Sequence, residues 1–260
     1  MNSTQAYVLS FSFNVTMMYL NNNKVVFKMK IEFFHDVICS FCFPMSYRMR
    51  KIQERYPNIE IVHRSFALSW EEADFNTMFG SRDQAKPEIL SHWKHANDND
   101  DLHRFNIEGM AKTDFQFPTS KNGLLASKAA KLIGGEEAYW QVFDNLQESL
   151  FVNNQNIEDL AVIQKAVTKA GLDWETFLPV FHSDEALEAV NEDLRLAKQY
   201  GIHGVPFLVI NEKYGINGAQ PTEVIEETIE KIAVEAHEPL IIIDEGSTCS
   251  LDEHGTWVCD

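Results

Sequence analysis

Residues 30–43 read KIEFFHDVICSFCF, an apolar and aromatic run that ends at two closely spaced cysteines. This composition predicts a strand through KIEFFHDV, since aromatic and β-branched residues are enriched in strands. The apolar residues that follow recur every three or four positions, as on one face of a helix; they are Phe41, Met45, Met49 and Ile52. Cys39 and Cys42 therefore fall at the junction of a predicted strand and a predicted helix.

A second strand is predicted through IEIVHRSFAL, residues 59–68, after a turn at Pro57 and Asn58. Strand, helix and strand in this order predict a parallel βαβ unit, because parallel neighbours need a long crossover between them. From Glu71 to Tyr200 the strand character is lost, and helical patterns alternate with Gly, Pro and Asn. This stretch predicts a helical insertion.

Two helices of the insertion can be located by their start signals. One is expected after Asn156 as its N-cap, with Leu160 on its buried face. The other is expected after Ser183, with Leu187 on its buried face. Each pattern ends at a glycine, which is the usual stop signal of a helix.

The segment PFLVINEKYGINGA, residues 206–219, predicts two short strands, and a helix with apolar Val224 and Ile225 is expected from Pro221. A βαβ start and a ββα end predict an α/β protein of thioredoxin-like fold with a large helical insertion. The expected parts are an N-terminal extension of residues 1–28, a thioredoxin-like domain of residues 29–70 and 201–237, an insertion of residues 71–200, and a C-terminal tail of residues 238–260 with two cysteines.

The net charge is strongly negative, since 22 Lys and Arg against 39 Asp and Glu give −17. Such a balance repels phosphate backbones and anionic lipid surfaces, so neither nucleic acid nor a membrane is expected as a partner. The N-terminus has no Lys or Arg before Lys24 and makes a poor secretory signal. We therefore expect a cytoplasmic protein, with Met29 as the natural start of the fold.

The C-x-x-C spacing at the start of a helix is typical of redox-active thiols. Unsatisfied backbone N–H groups and the helix dipole favour the ionised form of the first sulfur, which is the nucleophile in disulfide exchange. Cys39 is therefore the predicted attacking thiolate, and Cys42 is the predicted resolving partner that releases the substrate. Ser40 and Phe41, between them, are expected to contact the substrate and to tune the redox potential.

A structural zinc site is an alternative interpretation of this pair, because two C-x-x-C pairs close a tetrahedral shell in zinc-binding ribbons. The chain would then be a non-enzymatic interaction protein stabilised by zinc. Cys249 and Cys259 are spaced too widely to form the second clip, so no metal is expected. Three interpretations of these tail cysteines remain open: a second redox pair that exchanges with Cys39 and Cys42, a structural or metal-binding clip, and inert thiols.

FFHDVICSFCF, residues 33–43, together with GIHGVPFLVINEKYGINGAQ, residues 201–220, resembles the DsbA-like family of thiol-disulfide oxidoreductases, and within it the cytosolic FrnE-like branch. FPTSKNGLLASKAAKLIG and NIEDLAVIQKAVTKAGLD resemble the helical insertion of that family. The resemblance implies a cis peptide bond before Pro206, packed beside the C-x-x-C pair. It also implies that the Val205 backbone pairs with an extended substrate segment.

The resemblance implies an enzyme that reduces, oxidises or isomerises disulfides in other proteins without an organic cofactor. Glutathione is a candidate reductant, the partners are protein disulfides or dithiols, and the chain is expected to be a monomer or a dimer. Ser40 and Phe41 replace the usual Pro-Trp of the family, so its redox potential cannot be carried over. A glutathione-dependent isomerase or transferase, of the hydroxychromene-carboxylate isomerase or kappa-class kind, is the alternative within the superfamily, although those proteins typically present a serine at the active helix start.

Other polar residues near the cysteines have competing interpretations. A protonated His35 would stabilise the thiolate, but a histidine at a strand end is more often solvated. Asp36 is interpreted as a cap of the turn, with tuning of proton transfer as the alternative. Ser40 is most simply a residue of the helix start.

Overall fold

The computed structural model of this chain describes residues 18–21, 24–27, 29–235, 249–251 and 257–259, and for the four short segments it describes the backbone alone. The strands are β1 (Met18–Asn21), β2 (Lys24–Phe27), β3 (Lys30–His35), β4 (Glu60–Ser65), β5 (Phe207–Ile210), β6 (Tyr214–Asn217), β7 (Cys249–Leu251) and β8 (Trp257–Cys259). The helices are α1 (Cys42–Arg55), α2 (Glu72–Phe79), α3 (Arg82–Asn99), α4 (Ile107–Ala111), α5 (Lys121–Phe151), α6 (Leu160–Lys169), α7 (Trp174–Phe181), α8 (Asp184–Gln199) and α9 (Thr222–Glu235).

A mixed sheet of four strands in the order β4-β3-β5-β6 forms the centre of the fold. β3 pairs in parallel with β4, with Phe33 opposite His63, and it pairs antiparallel with β5. α1 connects the two parallel strands, and α2 to α8 lie in sequence between β4 and β5. This arrangement confirms the predicted thioredoxin-like fold with a helical insertion.

α1 begins at Cys42 and positions the second cysteine in its first turn. Met45, Met49 and Ile52 are buried as their spacing predicts, because they share the face that turns away from solvent. Pro44 is the third residue of the helix, where its missing N–H removes no helical hydrogen bond. The helix ends before Pro57, also as predicted.

Some predicted helix faces and caps are wrong. Asn156 caps a turn, with its Oδ1 accepting from the Glu158 N–H at 3.1 Å, and α6 begins only after Asp159. The helix starts late because Thr119 donates to the Glu158 side chain and holds it outside the helix. The apolar side chains assigned to buried faces but found exposed are Leu160, Leu187 and Val224. Ser183 does cap α8, by accepting from the Ala186 N–H at 3.1 Å.

The insertion has an aromatic core of its own around Trp93, which is fully buried. Its ring meets those of Phe105, Phe117 and Phe151 edge to face, with centroids 5.0 to 6.0 Å apart. Edge-to-face pairs stabilise by roughly 0.5–1.5 kcal/mol each beyond the burial of their area. The insertion is therefore held by its own packing as well as by the sheet.

A buried ion network attaches the insertion to the edge of the sheet. Asp193 of α8 forms ion pairs with Lys128 of α5 and, at 3.1 Å, with Arg64 of β4. The carboxylate oxygen that faces Lys128 also accepts from the Ser65 N–H at 2.6 Å. Lys128 also donates to the His63 carbonyl at 3.5 Å, so side chains cover the outer edge of β4.

Two short antiparallel pairs, β1-β2 and β7-β8, were not predicted. Backbone contacts divide the chain into two compact units, residues 1–226 and 227–260, and the second holds β7 and β8. The predicted limits at residues 71, 200 and 238 stay predictions. None of the helices in the described part of the chain has the length and apolar character that a membrane span requires.

Candidate active site

The Cys39 sulfur lies between the start of α1 and the loop before β5. The Cys42 N–H donates to Cys39 Sγ at 3.2 Å, and the Cys39 thiol donates to the Val205 carbonyl oxygen at 3.5 Å. Only 4% of Cys39 is exposed. The sulfur is therefore held by a helix N-terminus on one side and by a loop 166 residues away in sequence on the other.

A tight turn produces this geometry. The Cys39 N–H donates to the Asp36 carbonyl and the Cys42 N–H to the Cys39 carbonyl, both at 3.1 Å. Phe41 occupies the N-cap position of α1 without a side-chain cap, and Ser40 precedes it in the turn. The interpretation of Ser40 as the residue that starts the helix is therefore wrong, because Ser40 lies one position before the N-cap. Ser40 and Phe41 are both half-buried beside the sulfur.

Cys42 lies beneath Cys39 and is fully buried. Both cysteines are free thiols. Burial raises the pKa of the Cys42 thiol well above its usual range, and the adjacent Cys39 and the charge of Asp36 raise it further. The site therefore disfavours the thiolate form of Cys42.

The loop beside Cys39 contains a cis peptide bond between Val205 and Pro206. Pro206 is buried, and its carbonyl accepts from the Gly218 N–H at 2.9 Å, which fixes the loop against the end of β6. Val205 is half-buried, and its carbonyl oxygen points at Cys39 Sγ. The structure thus brings the two sequence motifs into contact at the Cys39 sulfur, although Cys39 and Val205 are 166 positions apart in the sequence.

Asp36 is fully buried next to the turn and accepts three hydrogen bonds. Its Oδ2 accepts from the Leu68 N–H and from the Ser120 hydroxyl, both at 2.6 Å, and its Oδ1 accepts from the Ile38 N–H at 3.2 Å. Burial raises the pKa of this carboxyl group from 3.8 to about 6, against the opposing effect of its hydrogen-bond donors. The bond from Ile38 is the predicted turn cap, and the other two bonds tie the turn to distant segments.

His35 is fully buried, so the expectation of a solvated histidine is wrong. Its ring stacks on Phe143, with centroids 3.9 Å apart, and its Nε2 lies 3.4 Å from Nδ1 of the buried His63. Burial lowers the pKa of both histidines well below the usual range. The alternation of side chains along β3 turns His35 to the same face as the apolar Phe33, which explains why it is buried.

Asp36 gives the protein a distinctive dependence of stability on pH. Between pH 3.8 and about 6 the folded protein keeps a proton that the unfolded chain has released, so stability falls as the pH rises through this window. A shift of this size corresponds to about 3 kcal/mol. His35 and His63 act in the opposite direction, because unfolding exposes them to protonation at low pH.

The effect of Asp36 is therefore isolated by comparing the wild type with a variant that lacks this carboxyl group. The free energy of unfolding by urea, wild type minus Asp36→Asn, should decrease by about 2 kcal/mol between pH 4 and pH 7. The histidine contribution cancels in this difference. A difference that stays constant with pH contradicts the raised pKa.

The tail cysteines Cys249 and Cys259 lie opposite each other in the β7-β8 pair. Their side chains lie outside the described residues, and so does most of the tail. Among the described residues, no three His, Cys, Asp or Glu side chains cluster as metal ligands do.

Sequence reasoning did not find the groups that hold Asp36 from a distance, which are Leu68, Ser120 and, through the Asp36 carbonyl at 3.4 Å, Gln147. In the sequence, Ser120 stands directly before an apolar helical pattern. That signal predicts a cap, and nothing in it indicates a bond to a residue 84 positions away.

A family model described as a DSBA-like thioredoxin domain matches residues 30–230 of the chain. Among curated proteins, the ClpXP adapter protein SpxH of Bacillus subtilis is 33% identical over 111 residues, which are 40% of this chain and 37% of that protein. The ClpXP adapter protein SpxH of Bacillus licheniformis is 26% identical over 207 residues, which are 77% of this chain and 66% of that protein. The match thus spans less than two thirds of the length of either relative.

Among solved structures, a putative protein disulfide isomerase from Nitrosomonas europaea superimposes with a TM-score of 0.65 at 20% identity. The match covers 81% of this chain and all of that one. At this identity the likeness concerns the fold alone.

Proposed function

Because this chain belongs to the family of DSBA-like thioredoxin domains, we propose that it is a thiol-disulfide oxidoreductase that exchanges disulfides with other proteins through Cys39 and Cys42. The observation that carries the proposal is the position of Cys39 Sγ, 3.2 Å from the Cys42 N–H nitrogen and 3.5 Å from the Val205 carbonyl. A backbone N–H directed at a sulfur stabilises negative charge on it, and the thiolate is the form that attacks a disulfide.

The exchange requires two steps, and each step uses a different one of the two sulfurs as its nucleophile. Cys39 attacks one sulfur of a substrate disulfide, and the other substrate sulfur leaves as a thiolate. Cys42 then attacks Cys39, so that the mixed disulfide breaks and the second substrate sulfur leaves. The dithiol is oxidised to a disulfide and the substrate disulfide is reduced to two thiols; the reverse direction oxidises a substrate dithiol.

The residues around Cys39 provide a surface for the substrate. Ser40, Phe41 and Val205 are half-buried around the sulfur, so a substrate that reaches Cys39 also reaches them. The Val205 carbonyl accepts a hydrogen bond from the Cys39 thiol, so the Val205 backbone lies beside the sulfur. This position suits pairing with an extended substrate peptide. The proposed substrates are therefore protein segments rather than nucleic acids, in a cytoplasmic setting where glutathione is a candidate reductant.

A second candidate function is that of an adapter, which the names of the SpxH relatives favour. In that case the surface around Cys39 would bind a protein partner without changing it chemically. The two functions differ in their dependence on sulfur chemistry, because binding survives the loss of both thiols and exchange does not.

The experiment that tests the proposed function is an insulin-reduction assay with dithiothreitol as the reductant. The reduced wild-type protein should accelerate the precipitation of insulin chains, and the same protein with both thiols alkylated should not. A rate equal to that of dithiothreitol alone would count against the oxidoreductase and favour the adapter.

We further propose that Cys249 and Cys259 form a disulfide with each other. Directly opposite residues of an antiparallel pair have Cα atoms about 4.5–5.5 Å apart, and this spacing lies within the range that a disulfide spans. Peptide mapping of the air-oxidised protein should then recover a fragment in which Cys249 is linked to Cys259. Recovery of both as alkylated free thiols, or joined to Cys39 or Cys42 alone, would contradict this pairing.

A further inference from the structure

We propose that His35 and His63 form an acid-sensitive latch, which holds α5 against the sheet at neutral pH and releases it in mild acid. His35 is the last residue of β3, and His63 lies in the neighbouring parallel strand β4. Neither histidine takes part in the proposed exchange of disulfides. The inference is therefore independent of the proposed function.

The register of β3 and β4 places both histidines on one face of the sheet. Phe33 lies opposite His63, and His35 lies opposite Ser65, so the alternation of side chains turns all four to the same side. The two imidazole rings stack with their centroids 5.1 Å apart, and Nε2 of His35 lies 3.4 Å from Nδ1 of His63. Both histidines are fully buried.

Three aromatic side chains of α5 cover this pair. Tyr139 stacks on both imidazoles, with ring centroids 5.6 Å from His35 and 5.1 Å from His63. Phe143 stacks on His35 at 3.9 Å, and Trp140 tilts over His63 at 4.5 Å. Burial raises the pKa of the Tyr139 hydroxyl well above its usual range, so this group stays neutral. Movement of α5 away from the sheet exposes both imidazoles together.

The closed pair has no place for a further proton. Each neutral imidazole carries one N–H, and the contact between the rings uses one N–H and one lone pair. The outer nitrogens, Nδ1 of His35 and Nε2 of His63, have no hydrogen-bond partner among the residues that the structure describes. An added proton would bury a positive charge and leave an N–H without an acceptor at both outer nitrogens.

The cations around the pair also oppose its protonation. They are Arg50 of α1 and Lys128 and Lys131 of α5, and Lys128 donates to the His63 carbonyl at 3.5 Å. Burial lowers the pKa of His63 well below its usual range, and His35 and the three cations lower it further. Burial and Lys128 have the same effect on the pKa of His35.

The carboxylates near the pair are engaged with other groups. Glu136 of α5 accepts from the backbone N–H of His63 at 3.2 Å, and Asp193 of α8 forms an ion pair with Lys128. Asp36 is held by its own donors in the turn after β3. Within the described part of the chain, no carboxylate oxygen accepts a hydrogen bond from either imidazole. A proton on the closed pair would therefore have no counter-charge in direct contact.

The direction of the pH effect follows from the two pKa values. In the closed state the pKa of each imidazole lies well below 6.5, which is the value of an exposed histidine. The latch therefore holds above pH 6.5 and weakens as the pH falls below this value. Because opening takes up two protons, acid shifts the equilibrium twice as steeply as one histidine would.

Release of α5 also withdraws bonds from the turn that precedes Cys39. Ser120, at the start of α5, donates to Asp36 Oδ2 at 2.6 Å, and Gln147 of α5 donates to the Asp36 carbonyl at 3.4 Å. The same carbonyl accepts from the Cys39 N–H at 3.1 Å. Because the insertion keeps its own aromatic core around Trp93, α5 can leave the sheet without unfolding of the insertion.

The test measures the accessibility of each imidazole with diethylpyrocarbonate, which modifies the imidazole nitrogens that it can reach. The full-length protein is treated briefly at a series of pH values from 5.5 to 7.5, and the modified histidines are located by peptide mass spectrometry. The rate at His35 or His63 is divided by the rate at His92, which is exposed on α3 of the same molecule. This ratio gives the open fraction of the latch at each pH.

The open fraction should rise from pH 7.5 to pH 5.5, and in the wild type it should rise equally at both histidines. The two protons of the pair contribute a factor of about 100 to this rise, and one proton contributes a factor of about 10. In His35→Met the rise at His63 should therefore be about tenfold smaller than in the wild type. Nearby carboxylates act alike in both proteins and cancel in the comparison. The control His95→Met, at an exposed position of α3, should keep the wild-type rise.

Unequal rises at His35 and His63 in the wild type, or the same rise at His63 in the wild type and in His35→Met, overturn the inference. If His35→Met does not fold, the reciprocal variant His63→Met, read at His35, decides by the same criterion. The measurement is repeated in low concentrations of urea, because a released helix exposes far less surface than an unfolded chain. An open fraction that depends on urea as steeply as global unfolding does would also overturn the inference.

Discussion

Replacing Cys39 with serine should lower the rate of catalysed insulin reduction by about 10³-fold or more, which is the loss expected when a nucleophile is removed from a covalent mechanism. A serine hydroxyl is almost entirely protonated at neutral pH and does not attack disulfides. The hydroxyl is also nearly the same size as the thiol, so the contacts with the Cys42 N–H and the Val205 carbonyl can persist. The rate is measured by the turbidity of insulin chains, and the fold by circular dichroism.

Cys42→Ser is the matched variant, because it removes the other sulfur of the same pair and leaves the attacking one. It should still react once with the substrate and then stop at the mixed disulfide, since the resolving sulfur is absent. A Cys39→Ser protein that kept more than a tenth of the wild-type rate would place the nucleophile elsewhere. Full activity would favour the glutathione-dependent isomerase or transferase, which uses a serine at this position.

Replacing Asp193 with asparagine should lower the free energy of unfolding by about 3–5 kcal/mol, the cost of leaving a buried charge without its partner. Lys128 and Asp193 are each no more than 3% exposed, so water cannot replace the lost carboxylate. Arg64 loses a partner as well, although Glu32 continues to bind it at 2.5 Å. The change is measured by urea unfolding at neutral pH.

The control lies on the same helix. Glu188 and Arg195 form an ion pair at 2.6 Å with both side chains more than half exposed, so Glu188→Gln should change stability by less than about 1 kcal/mol. The double variant Lys128→Met with Asp193→Leu should recover most of the loss, because it leaves no unpaired charge of this pair. Equal effects of Asp193→Asn and Glu188→Gln would show that the buried network does not hold the insertion to the sheet.

The parts of the fold that the sequence predicted are those in which neighbouring residues decide the outcome. The strand before Cys39, the helix after it and the two strands after Pro206 each follow from a short pattern of apolar residues. The redox pair was predicted for the same reason, since a C-x-x-C motif at a helix start is recognised from only four neighbouring residues. The resemblance to a known family added the contact between the two distant motifs, which no local pattern contains.

The predictions that failed depend on tertiary contacts. Leu160 and Leu187 have the correct helical spacing for a buried face, but they lie at the first or second turn of their helices, where the neighbouring segments leave them exposed. His35 was expected in solvent because it lies at a strand end, yet the alternation of β3 places it against Phe143. In each case the burial of the side chain depends on segments that are distant in sequence, and the local pattern does not contain that information.

The candidate site likewise combines features that the local sequence predicts with features that depend on residues far away in sequence. Asp36 was identified as a turn cap from its position, and the bond to the Ile38 N–H agrees with that interpretation. Its other two carboxylate bonds come from Leu68, in the loop after β4, and from Ser120, at the start of α5. The sequence around Asp36 gives no indication of either of these distant donors.

The central claim is that Cys39 is the sulfur that bonds to a substrate. Cys42→Ser, incubated with insulin and alkylated in acid, should yield a proteolytic fragment in which Cys39 is joined to an insulin cysteine. Mass spectrometry of that fragment identifies the linked sulfur directly. Insulin attached through Cys249 or Cys259, or no covalent adduct at all, would contradict the account.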